Sequence, residues 1–204
     1  MKTKLLIASR NQKKKKELQQ ILSGLNFELL SLDDLPPLPE VEEDGTTFAE
    51  NAIKKAVTVA RQTGLLALAD DSGLVVDALQ GAPGVFSARY SDPEANDEKN
   101  NRKLLLAMQD IPDADRSARF VCVIALAEPD GQVQTVQGIC EGRIDKVLKG
   151  SAGFGYDPLF IPDGFEESFA QLDPSIKNTI SHRGQALEFI KPVLEKINMG
   201  GENC

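Results

Sequence analysis

The stretch Leu65-Leu66-Ala67-Leu68-Ala69-Asp70-Asp71-Ser72-Gly73-Leu74-Val75-Val76 places two adjacent carboxylates within an otherwise apolar run. An unpaired buried carboxylate is strongly disfavoured, so a partner must offset each charge. A divalent metal ion, a lysine or a catalytic proton transfer can fill that role. The apolar residues predict a strand over Leu66–Ala69 that ends at the aspartates. Because side chains alternate along a strand, Asp70 and Asp71 are expected to point to opposite sides and to do different jobs.

The length and composition indicate a globular protein. The 204 residues suit one large domain or two lobes that share a core, and 41% hydrophobic residues are too many for a disordered chain. No linker or internal repeat is visible, so we predict a single domain over residues 1–204 with two lobes. No apolar run approaches the roughly 18–20 residues of a membrane-spanning helix. The strand-like start at Lys4–Ala8 argues against a signal peptide.

The net charge bears on which ligands the protein can bind, and the cysteines bear on its cellular compartment. A formal net charge of -8 repels phosphate backbones, which argues against general nucleic-acid binding but allows a local basic pocket for a small anion. Cys122, Cys140 and Cys204 lack metal-ligand spacing and are odd in number. We therefore expect reduced thiols and a cytoplasmic protein that binds neither nucleic acid nor membranes.

Hydrophobic periodicity and capping signals predict a mixed α/β fold, in which strands and helices alternate early and a hairpin follows late. The predicted strands are Lys4–Ala8, Phe27–Ser31, Leu66–Ala69, Arg119–Ala127, Val133–Cys140 and Gly142–Leu148. The predicted helices are Lys13–Leu22 with Asn11 as N-cap, a helix from the capping box Thr47–Glu50 to Thr63, Asp97–Gln109 with Asn96 as N-cap, and a last helix from Ser181 or His182 to Ile197.

The segment Ser9-Arg10-Asn11-Gln12-Lys13-Lys14 joins the first predicted strand to the first helix. Backbone N–H groups at a helix start, the helix dipole and the lysines all favour a bound anion. The same residues also fit a capped helix with a solvent-exposed Lys13–Lys16 face, and charge runs are usually exposed. The glycine-rich spacing of a P-loop is absent. The segment alone leaves both interpretations open.

Two acidic clusters suggest a metal site. Glu42-Glu43-Asp44 precedes the long helix, and Asp70-Asp71 follows the next strand. Magnesium binds one or two carboxylates together with waters and substrate phosphates, so two clusters at element ends can share one Mg²⁺ ion. The alternative is that Glu42–Asp44 only favours the N-terminus of the helix electrostatically. This alternative is weaker for Asp70-Asp71, because those carboxylates lie in apolar sequence.

Two later segments also carry candidate binding residues. In Ala152-Gly153-Phe154-Gly155-Tyr156-Asp157-Pro158, the glycines allow a close backbone bend, and Phe154 and Tyr156 offer rings for stacking on a base. A glycine-rich turn that buries two aromatic rings fits equally well.

The last candidate segment is Lys177-Asn178-Thr179-Ile180-Ser181-His182-Arg183-Gly184. It places His182 and Arg183 in the first turn of a helix, where cations oppose the helix dipole. Cations at the start of a helix go against the usual charge preference, and such an exception indicates a site for an electron-rich partner.

Taken in order, these segments resemble the inosine triphosphate pyrophosphatase family, and especially its bacterial members. The matching stretches are Ser9-x-Asn11-x-x-Lys14-x-x-Glu17, Glu43-x-Gly45-x-Thr47-Phe48-x-Glu50-Asn51-Ala52, Ala69-Asp70-Asp71-Ser72-Gly73-Leu74, Gly81-Ala82-Pro83-Gly84-Val85-Phe86-Ser87-Ala88-Arg89-Tyr90, Gly153-Phe154-Gly155-Tyr156-Asp157-Pro158 and Ser181-His182-Arg183-Gly184. They are spread from residue 9 to residue 184, which is nearly the whole length of the chain. One such motif would be weak evidence, whereas the complete ordered set is highly specific.

The resemblance implies an elongated two-lobed α/β fold with a long mixed sheet flanked by helices and a substrate cleft between the lobes. It also implies a homodimer. The implied activity is Mg²⁺-dependent hydrolysis of the purine nucleoside triphosphates dITP, ITP and XTP to the monophosphate and pyrophosphate. Such an enzyme removes deaminated purines from the nucleotide pool.

The resemblance assigns a role to each matching position. Glu43 and Asp71 would serve the magnesium ion, and Asp71 would also be the base for the attacking water. Phe154 would stack on the purine. The implied triphosphate-binding residues are Ser9, Arg10, Asn11, Gln12, Lys13, Lys14 and Lys55. The residues implied to contact the substrate elsewhere are Ser72, Gly155 and Tyr156. Those implied to read the base edge are Asp157, Lys177, His182 and Arg183.

One departure from the family and three competing functions bear on this interpretation. Arg10 stands where the family often has glycine, so the turn there must suit an ordinary residue.

A Maf-type nucleotide pyrophosphatase is the alternative enzyme, and Ser181-His182-Arg183-Gly184 argues against it. A nucleotide-binding regulator would not require a water-activating acid such as Asp71. A nucleic-acid-binding protein would need a broad basic stripe, which this sequence lacks.

Overall fold

The computed structural model describes residues 2–92 and 96–200, with side chains as far as residue 198. Helices and strands alternate in the first half of these residues. The elements are β1 Thr3–Ile7, α1 Gln12–Leu22, β2 Phe27–Ser31, α2 Phe48–Thr63, β3 Leu66–Val76, α3 Asp97–Ala107, β4 Ser117–Ala127, β5 Val133–Ile144, β6 Phe160–Pro162, α4 Pro174–Ile180 and α5 His182–Gly200.

The strands form one mixed sheet in the order β2-β1-β3-β4-β5-β6. Strand β1 pairs in parallel with β2, in the register Leu5↔Leu29, and with β3, in the register Leu5↔Leu66. Parallel neighbours need a crossover, and α1 and α2 provide it. Strand β6 pairs antiparallel with β5, in the register Arg143↔Ile161. The predicted mixed α/β class is therefore confirmed.

The chain divides into two compact units, which are considered one at a time. Unit 1 is built from the described residues of Met1–Asp71, Cys122–Gly138 and Arg183–Cys204. Unit 2 is built from those of Ser72–Val121 and Ile139–His182. Each unit has its own apolar core.

Unit 1 contains two cores because successive side chains of its strands point to opposite faces. Leu5 and Ile7 of β1 share one core with residues of α1 and α5, and Leu6 shares the other with residues of α2. Strand β3 follows the same rule, since Leu68 belongs to the first core and Ala69 to the second. The α2 face is made largely of alanines, which let the helix approach the sheet closely. Its fully buried members are Ala52, Ala56 and Ala60.

Unit 2 is organised around three phenylalanine rings. The ring centroids of Phe120 and Phe160 lie 4.7 Å apart, and those of Phe160 and Phe169 lie 5.0 Å apart. Contacts of this kind add about 0.5–1.5 kcal/mol each to the gain from burial. Leu104 of α3 and Leu74 of β3 complete the same core. This core supports the glycine-rich segment that the sequence singled out.

Most predicted elements are present, and their caps are formed. The Asn11 side chain accepts hydrogen bonds from the N–H groups of Lys13 and Lys14, which starts α1. Thr47 and Glu50 form the predicted capping box at the start of α2. The helix α3 ends at Ala107, two residues before the predicted Gln109.

Two strand predictions were wrong. Strand β3 does not end at the aspartates but continues to Val76, because Asp70 and Asp71 find partners without leaving the sheet. Gly142–Leu148 is not a strand of its own, since β5 continues to Ile144 and pairs there with β6. Residues 147 and 148 are apolar yet 56% and 53% exposed, so their hydrophobicity gave a false strand signal.

Two short elements were not predicted. Strand β6 has 3 residues and ends in a proline, which gives it almost no periodicity. The 7-residue helix α4 did carry a signal, because Asp173 caps it and Pro174 occupies its first turn. Ser181 ends α4 and directly precedes α5, so His182 begins the last helix as expected.

Two of the three cysteines lie among the described residues. Cys122 and Cys140 are free and buried, and burial raises the pKa of each thiol to about 12. Cys204 lies outside the described residues. Within residues 2–92 and 96–200, no helix is both long and apolar enough to cross a membrane.

Arg116 is a buried cation that ties together three segments of unit 2. Its guanidinium donates to the backbone oxygens of Met108 at 2.7 Å and Ile111 at 3.2 Å, beside the C-terminus of α3. It also donates to Ile144 O at 2.7 Å and Asp145 O at 3.0 Å. Arg116 is only 3% exposed, so water cannot replace these bonds if the side chain is removed.

We predict that Arg116→Met lowers the free energy of unfolding by more than about 3 kcal/mol, because it leaves several buried carbonyl oxygens without donors. Urea denaturation of the purified variant measures this loss. Arg102→Met is the matched control, since Arg102 is exposed on α3 and pairs with exposed Glu98 at 2.9 Å. The control is expected to change stability by less than about 0.5 kcal/mol. Equal losses in the two variants would contradict the assignment.

Candidate active site

Asp70 lies at the centre of a buried ion cluster in unit 1. Its side chain is fully enclosed, and Oδ2 lies 3.2 Å from Lys14 Nζ of α1. The guanidinium of Arg183, at the start of α5, donates to the same oxygen from Nε at 3.3 Å and from Nη2 at 3.1 Å. Arg183 Nη1 also donates to Glu17 Oε2 at 2.5 Å. One carboxylate of β3 thus joins two helices of the first core.

The charges of this cluster decide the protonation of Asp70. Burial alone would raise its pKa, but the nearby charges of Lys14 and Arg183 outweigh burial and hold the pKa well below its usual range. Asp70 is therefore a fixed negative charge at neutral pH. It is suited to anchoring cations and unsuited to accepting a proton.

Asp71 makes a different set of contacts, which includes two side chains of α2. Asn51 Nδ2 donates to Asp71 Oδ2 at 3.0 Å, and Lys55 Nζ lies 4.0 Å from Oδ1. Lys55 Nζ also donates to Glu43 Oε1 at 3.1 Å and to the backbone oxygen of Asp70 at 2.6 Å. Asn51 and Lys55 are four residues apart, which places them on one face of α2. The prediction that the two aspartates point to opposite sides is confirmed.

The surroundings of Asp71 make it the more basic of the two aspartates. Burial raises the pKa of Asp71, and the negative charge of Glu43 raises it further, against the opposing influence of Lys55. A raised pKa brings a carboxylate closer to the range that suits a general base. The pair Glu43 and Asp71 also offers hard oxygen ligands. Among the described residues there is no group of three or more acidic, histidine or cysteine side chains placed to hold a metal ion.

The Asn51 amide is oriented at both ends. Its Oδ1 accepts a hydrogen bond from Gly45 N at 2.8 Å, while its Nδ2 donates to Asp71. A Cβ atom at Gly45 would lie only 2.7 Å from Asn51 Oδ1, so glycine is required at this close approach. Asn51 therefore links the acidic loop to β3. Asn51 and Glu17 were not assigned roles from the sequence, although a polar residue within the alanine-rich face of α2 was a usable signal.

The segment before α1 mixes exposed and partly buried side chains. Ser9 Oγ accepts from Asn11 N at 3.3 Å, and Asn11 Oδ1 is engaged in capping the helix. Gln12 donates to Asp33 at 3.2 Å, while Lys13 is exposed. Arg10 is exposed and donates to Leu38 O at 2.7 Å. Outside glycine, the described residues show a positive φ only at Gln80, so the turn at Arg10 suits an ordinary residue.

A second group of candidate residues lies in unit 2. The Asp157 carboxylate accepts from Phe154 N at 2.8 Å and from Lys177 Nζ at 2.8 Å. Lys177 Nζ also lies 5.1 Å from the centroid of the Phe154 ring, within the range of a cation–π contact. Lys177 and Asp157 are both buried. This group presents an aromatic ring, a cation and a carboxylate next to one another.

The other predicted residues of unit 2 have mainly packing contacts. The Tyr156 ring is 3% exposed and part of the core, and its hydroxyl donates to Ser87 O at 2.8 Å. This burial favours the alternative of a turn that buries its aromatic ring, and contact of Tyr156 with the substrate stays a prediction. The His182 ring stacks on Phe120 with centroids 4.7 Å apart. Ser72 is partly buried directly after Asp71, and Gly155 adopts a positive φ of 60°.

The structure brings the predicted residues together in two sets. In unit 1, Lys14 and Arg183 meet at Asp70, whereas Glu43, Lys55 and Asp71 meet beside Asn51. In unit 2, Phe154, Asp157 and Lys177 form the other set. The role of Arg183 at the base edge stays a prediction; its guanidinium is engaged with Asp70 and Glu17.

We predict that Arg183→Met lowers the free energy of unfolding by about 3–5 kcal/mol, because it leaves Asp70 with one cation fewer in a buried position. Urea denaturation at neutral pH measures the change. Lys191→Met is the matched control on the same helix, since Lys191 pairs with exposed Glu188. Its expected cost is below about 1 kcal/mol. If both variants were equally stable, the ion cluster would not be a main support of unit 1.

Comparison with known proteins identifies the family. The chain is 52% identical over 194 residues to the dITP/XTP pyrophosphatase of Desulforamulus reducens, covering 95% of this chain and 96% of the relative. It is 53% identical over 189 residues to the dITP/XTP pyrophosphatase of Geobacter sulfurreducens, covering 93% and 95%.

Solved structures agree with this result. The HAM1 protein from Coxiella burnetii matches with a TM-score of 0.87 and 45% identity, over 95% of this chain and 99% of that one. The Staphylococcus aureus Ham1 protein matches with a TM-score of 0.86 and 39% identity, over 95% and 99%. The resemblance inferred from the sequence is thereby confirmed. The model of the Ham1 family matches residues 5–193, and this chain belongs to the Ham1 family.

Proposed function

We propose that this protein hydrolyses dITP, ITP and XTP to the nucleoside monophosphate and pyrophosphate, and so removes deaminated purines from the nucleotide pool. The observation that carries the proposal is the buried Asp71, held by Asn51 and Lys55 beside Glu43. The relatives named dITP/XTP pyrophosphatase support the choice of substrate. A binding protein without catalysis would not need a carboxylate of raised pKa at this place.

We assign the triphosphate to the basic side chains of unit 1. A triphosphate carries several negative charges, and attack by water adds further charge in the transition state. Lys14 and Lys55 are held in place by Asp70 and Glu43, so their ammonium groups are ordered before any substrate arrives. Preordered charges favour the transition state because little reorganisation remains to be done. Ser9, Asn11 and the N-terminus of α1 are the further phosphate-binding groups that we propose.

The residues of unit 1 also fit a magnesium ion. Glu43 and Asp71 both lie near the Lys55 ammonium, so their carboxylate oxygens face one region where added positive charge is favoured. Magnesium commonly takes only one or two carboxylates and completes its shell with waters and phosphates, which agrees with the small acidic set. When bound, Mg²⁺ would neutralise phosphate charge and polarise the phosphoryl group.

The proton of the attacking water is assigned to Asp71. Water adds to the α-phosphorus, the bond between that phosphorus and the α–β bridging oxygen breaks, and pyrophosphate leaves with the bridging oxygen. The Asn51 amide holds Asp71 Oδ2, so the orientation of the carboxylate is set before the reaction. Asp71 accepts the proton that the water loses. The neighbouring Asp70 cannot share this task, because two cations keep its pKa low.

The base is assigned to the residues of unit 2. The partly exposed Phe154 ring provides a stacking surface, and Lys177 is a buried donor beside it. A 6-oxo purine offers an acceptor to such a donor, whereas adenine offers an amino group that cannot accept. Leaving a buried donor unpaired penalises the wrong base strongly. Asp157 and His182, together with Arg183, complete the proposed base-reading set.

We further propose that the enzyme is a cytoplasmic homodimer. The buried reduced thiols Cys122 and Cys140 are compatible with a reducing compartment. The dimer rests on the resemblance to the family. Light scattering of the purified protein distinguishes a dimer of this 22.2 kDa chain from a monomer.

A substrate panel tests the proposed function. Purified protein is assayed with ITP, dITP, XTP, ATP, GTP and dTTP in the presence of Mg²⁺, and both phosphate and pyrophosphate are measured. We expect pyrophosphate from the deaminated purines and little product from ATP. Activity should disappear with a chelator and return with Mg²⁺. Release of phosphate alone, or equal rates on ATP and ITP, would refute the proposal.

We predict that Asp71→Asn lowers kcat for ITP by about 10²- to 10⁴-fold, the usual contribution of a general base. The fold should persist. Because the pKa of Asp71 is raised in the folded protein, its ionised form destabilises the folded state at any pH above that pKa. Asparagine carries no charge and so removes this destabilisation. The thermal midpoint is therefore expected to be equal to or above that of the original protein. Asp130→Asn, in the exposed turn between β4 and β5, is the control and should keep full activity. Near-normal turnover by Asp71→Asn would remove Asp71 from the mechanism.

A further inference from the structure

The Phe154 ring sits on a turn that has little stiffness of its own. Gly153 and Gly155 flank it with positive φ values of 77° and 60°. The turn is closed by Asp157, whose N–H donates to Phe154 O at 3.2 Å and whose carboxylate accepts from Phe154 N at 2.8 Å. Glycine has more backbone freedom than any other residue. The orientation of the ring therefore depends on whatever holds the Gly155 peptide groups.

The start of α3 holds Gly155 by both its N–H and its carbonyl. Gly155 N donates to Asp97 Oδ2 at 3.0 Å, and Asn101 Nδ2 donates to Gly155 O at 2.8 Å. Asp97 and Asn101 are four residues apart and so lie on one face of the helix. Asn101 is only 5% exposed, and its amide oxygen has no hydrogen-bond partner among the described residues. The contact with Gly155 is thus the one that orients this buried amide.

We call Asp97 and Asn101 the Gly155 clamp. Helix α3, which carries this clamp, is itself fixed by a buried side chain. Asn100, which is 2% exposed, donates to Ser87 O at 3.3 Å and to Ala88 O at 2.9 Å. Tyr156, the residue after Gly155, donates to the same Ser87 oxygen. Helix α3 and the turn are therefore attached to one common point of unit 2. A clamp on such a support can transmit its geometry to the turn.

We propose that Asp97 and Asn101 are positioning residues that hold Gly155 and thereby set the Phe154 ring for stacking on the purine base. This inference rests on the proposed function of the same site. Neither residue is assigned contact with the substrate. Their effect is on binding of the base, because the residues assigned to the attack of water belong to unit 1. It extends to discrimination of the base, because Phe154 N and the base-reading Lys177 Nζ share the Asp157 carboxylate.

The kinetic test compares four variants. Asp97→Ala removes the acceptor of Gly155 N–H, and Asn101→Ala removes the donor to Gly155 O. Each should raise KM for ITP by about threefold to tenfold, the usual worth of one such bond. Asp97→Asn keeps an oxygen acceptor for Gly155 N–H and should restore KM. Glu98→Ala removes a neighbouring acid that pairs with Arg102, and KM should not change. Asp97 is exposed, so its variants should fold even if the loss of buried Asn101 prevents folding.

The pattern of rate constants separates positioning from a general structural defect. In Asp97→Ala and Asn101→Ala, kcat for ITP should stay within about twofold, and the preference for ITP over ATP in kcat/KM should fall. An unchanged KM in both variants would overturn the inference. So would an equal loss of kcat for ITP and ATP with an unchanged preference, since that pattern indicates a damaged fold.

A spectroscopic readout tests the clamp without relying on activity. The chain has no tryptophan, so Phe154→Trp introduces a single emitter on the turn. We expect lower fluorescence anisotropy for Trp emission when Asp97→Ala is added to this background, and recovery when Asp97→Asn is added instead. Equal anisotropy in all three proteins would refute the clamp. If the original protein failed to hydrolyse ITP while the anisotropy changed as expected, the proposed function would fail and the clamp would stand.

Discussion

Strand β3 carries two adjacent carboxylates between β1 and β4, and much of unit 1 is arranged around that constraint. Because side chains alternate along a strand, Asp70 and Asp71 meet different helices. A buried ionised carboxylate costs several kcal/mol when no cation or donor accompanies it. Each face must therefore supply its own partners. Helices α1 and α5 supply Lys14 and Arg183 to Asp70, and α2 supplies Asn51 and Lys55 to Asp71.

This arrangement makes neighbouring residues of one type behave in opposite ways. Asp70 is enclosed by two cations, which keep its pKa low, so it acts as a permanent negative charge. Burial and the negative charge of Glu43 raise the pKa of Asp71, and they outweigh the lowering influence of Lys55 and the Asn51 amide. In the proposed function, the first carboxylate orders a lysine for the anionic substrate and the second accepts the proton of the attacking water. One strand would then provide both a structural anchor and a reactive group.

Local signals predicted the elements that depend on short-range interactions. The Asn11 cap and the Thr47–Glu50 capping box could be read directly, because each satisfies N–H groups within four residues. The end of β3 was predicted wrongly for the opposite reason. Whether a charge ends a strand depends on partners that come from elsewhere in the chain. Tyr156 shows the same limit, since its ring is equally suited to a binding surface and to a core.

The sequence by itself determined the alternation of helices and strands, the caps, the family and the residue types of the site. It also contained the i,i+4 pairs Asn51 with Lys55 and Asp97 with Asn101, whose meaning became visible only in three dimensions. The tertiary structure decided which charges meet. Arg183 reaches Asp70 across 113 residues and Glu17 across 166 residues of chain. These long-range contacts form because α1 and α5 pack on the same face of the sheet. A local sequence pattern does not show which side chains the packing of a shared core will bring together.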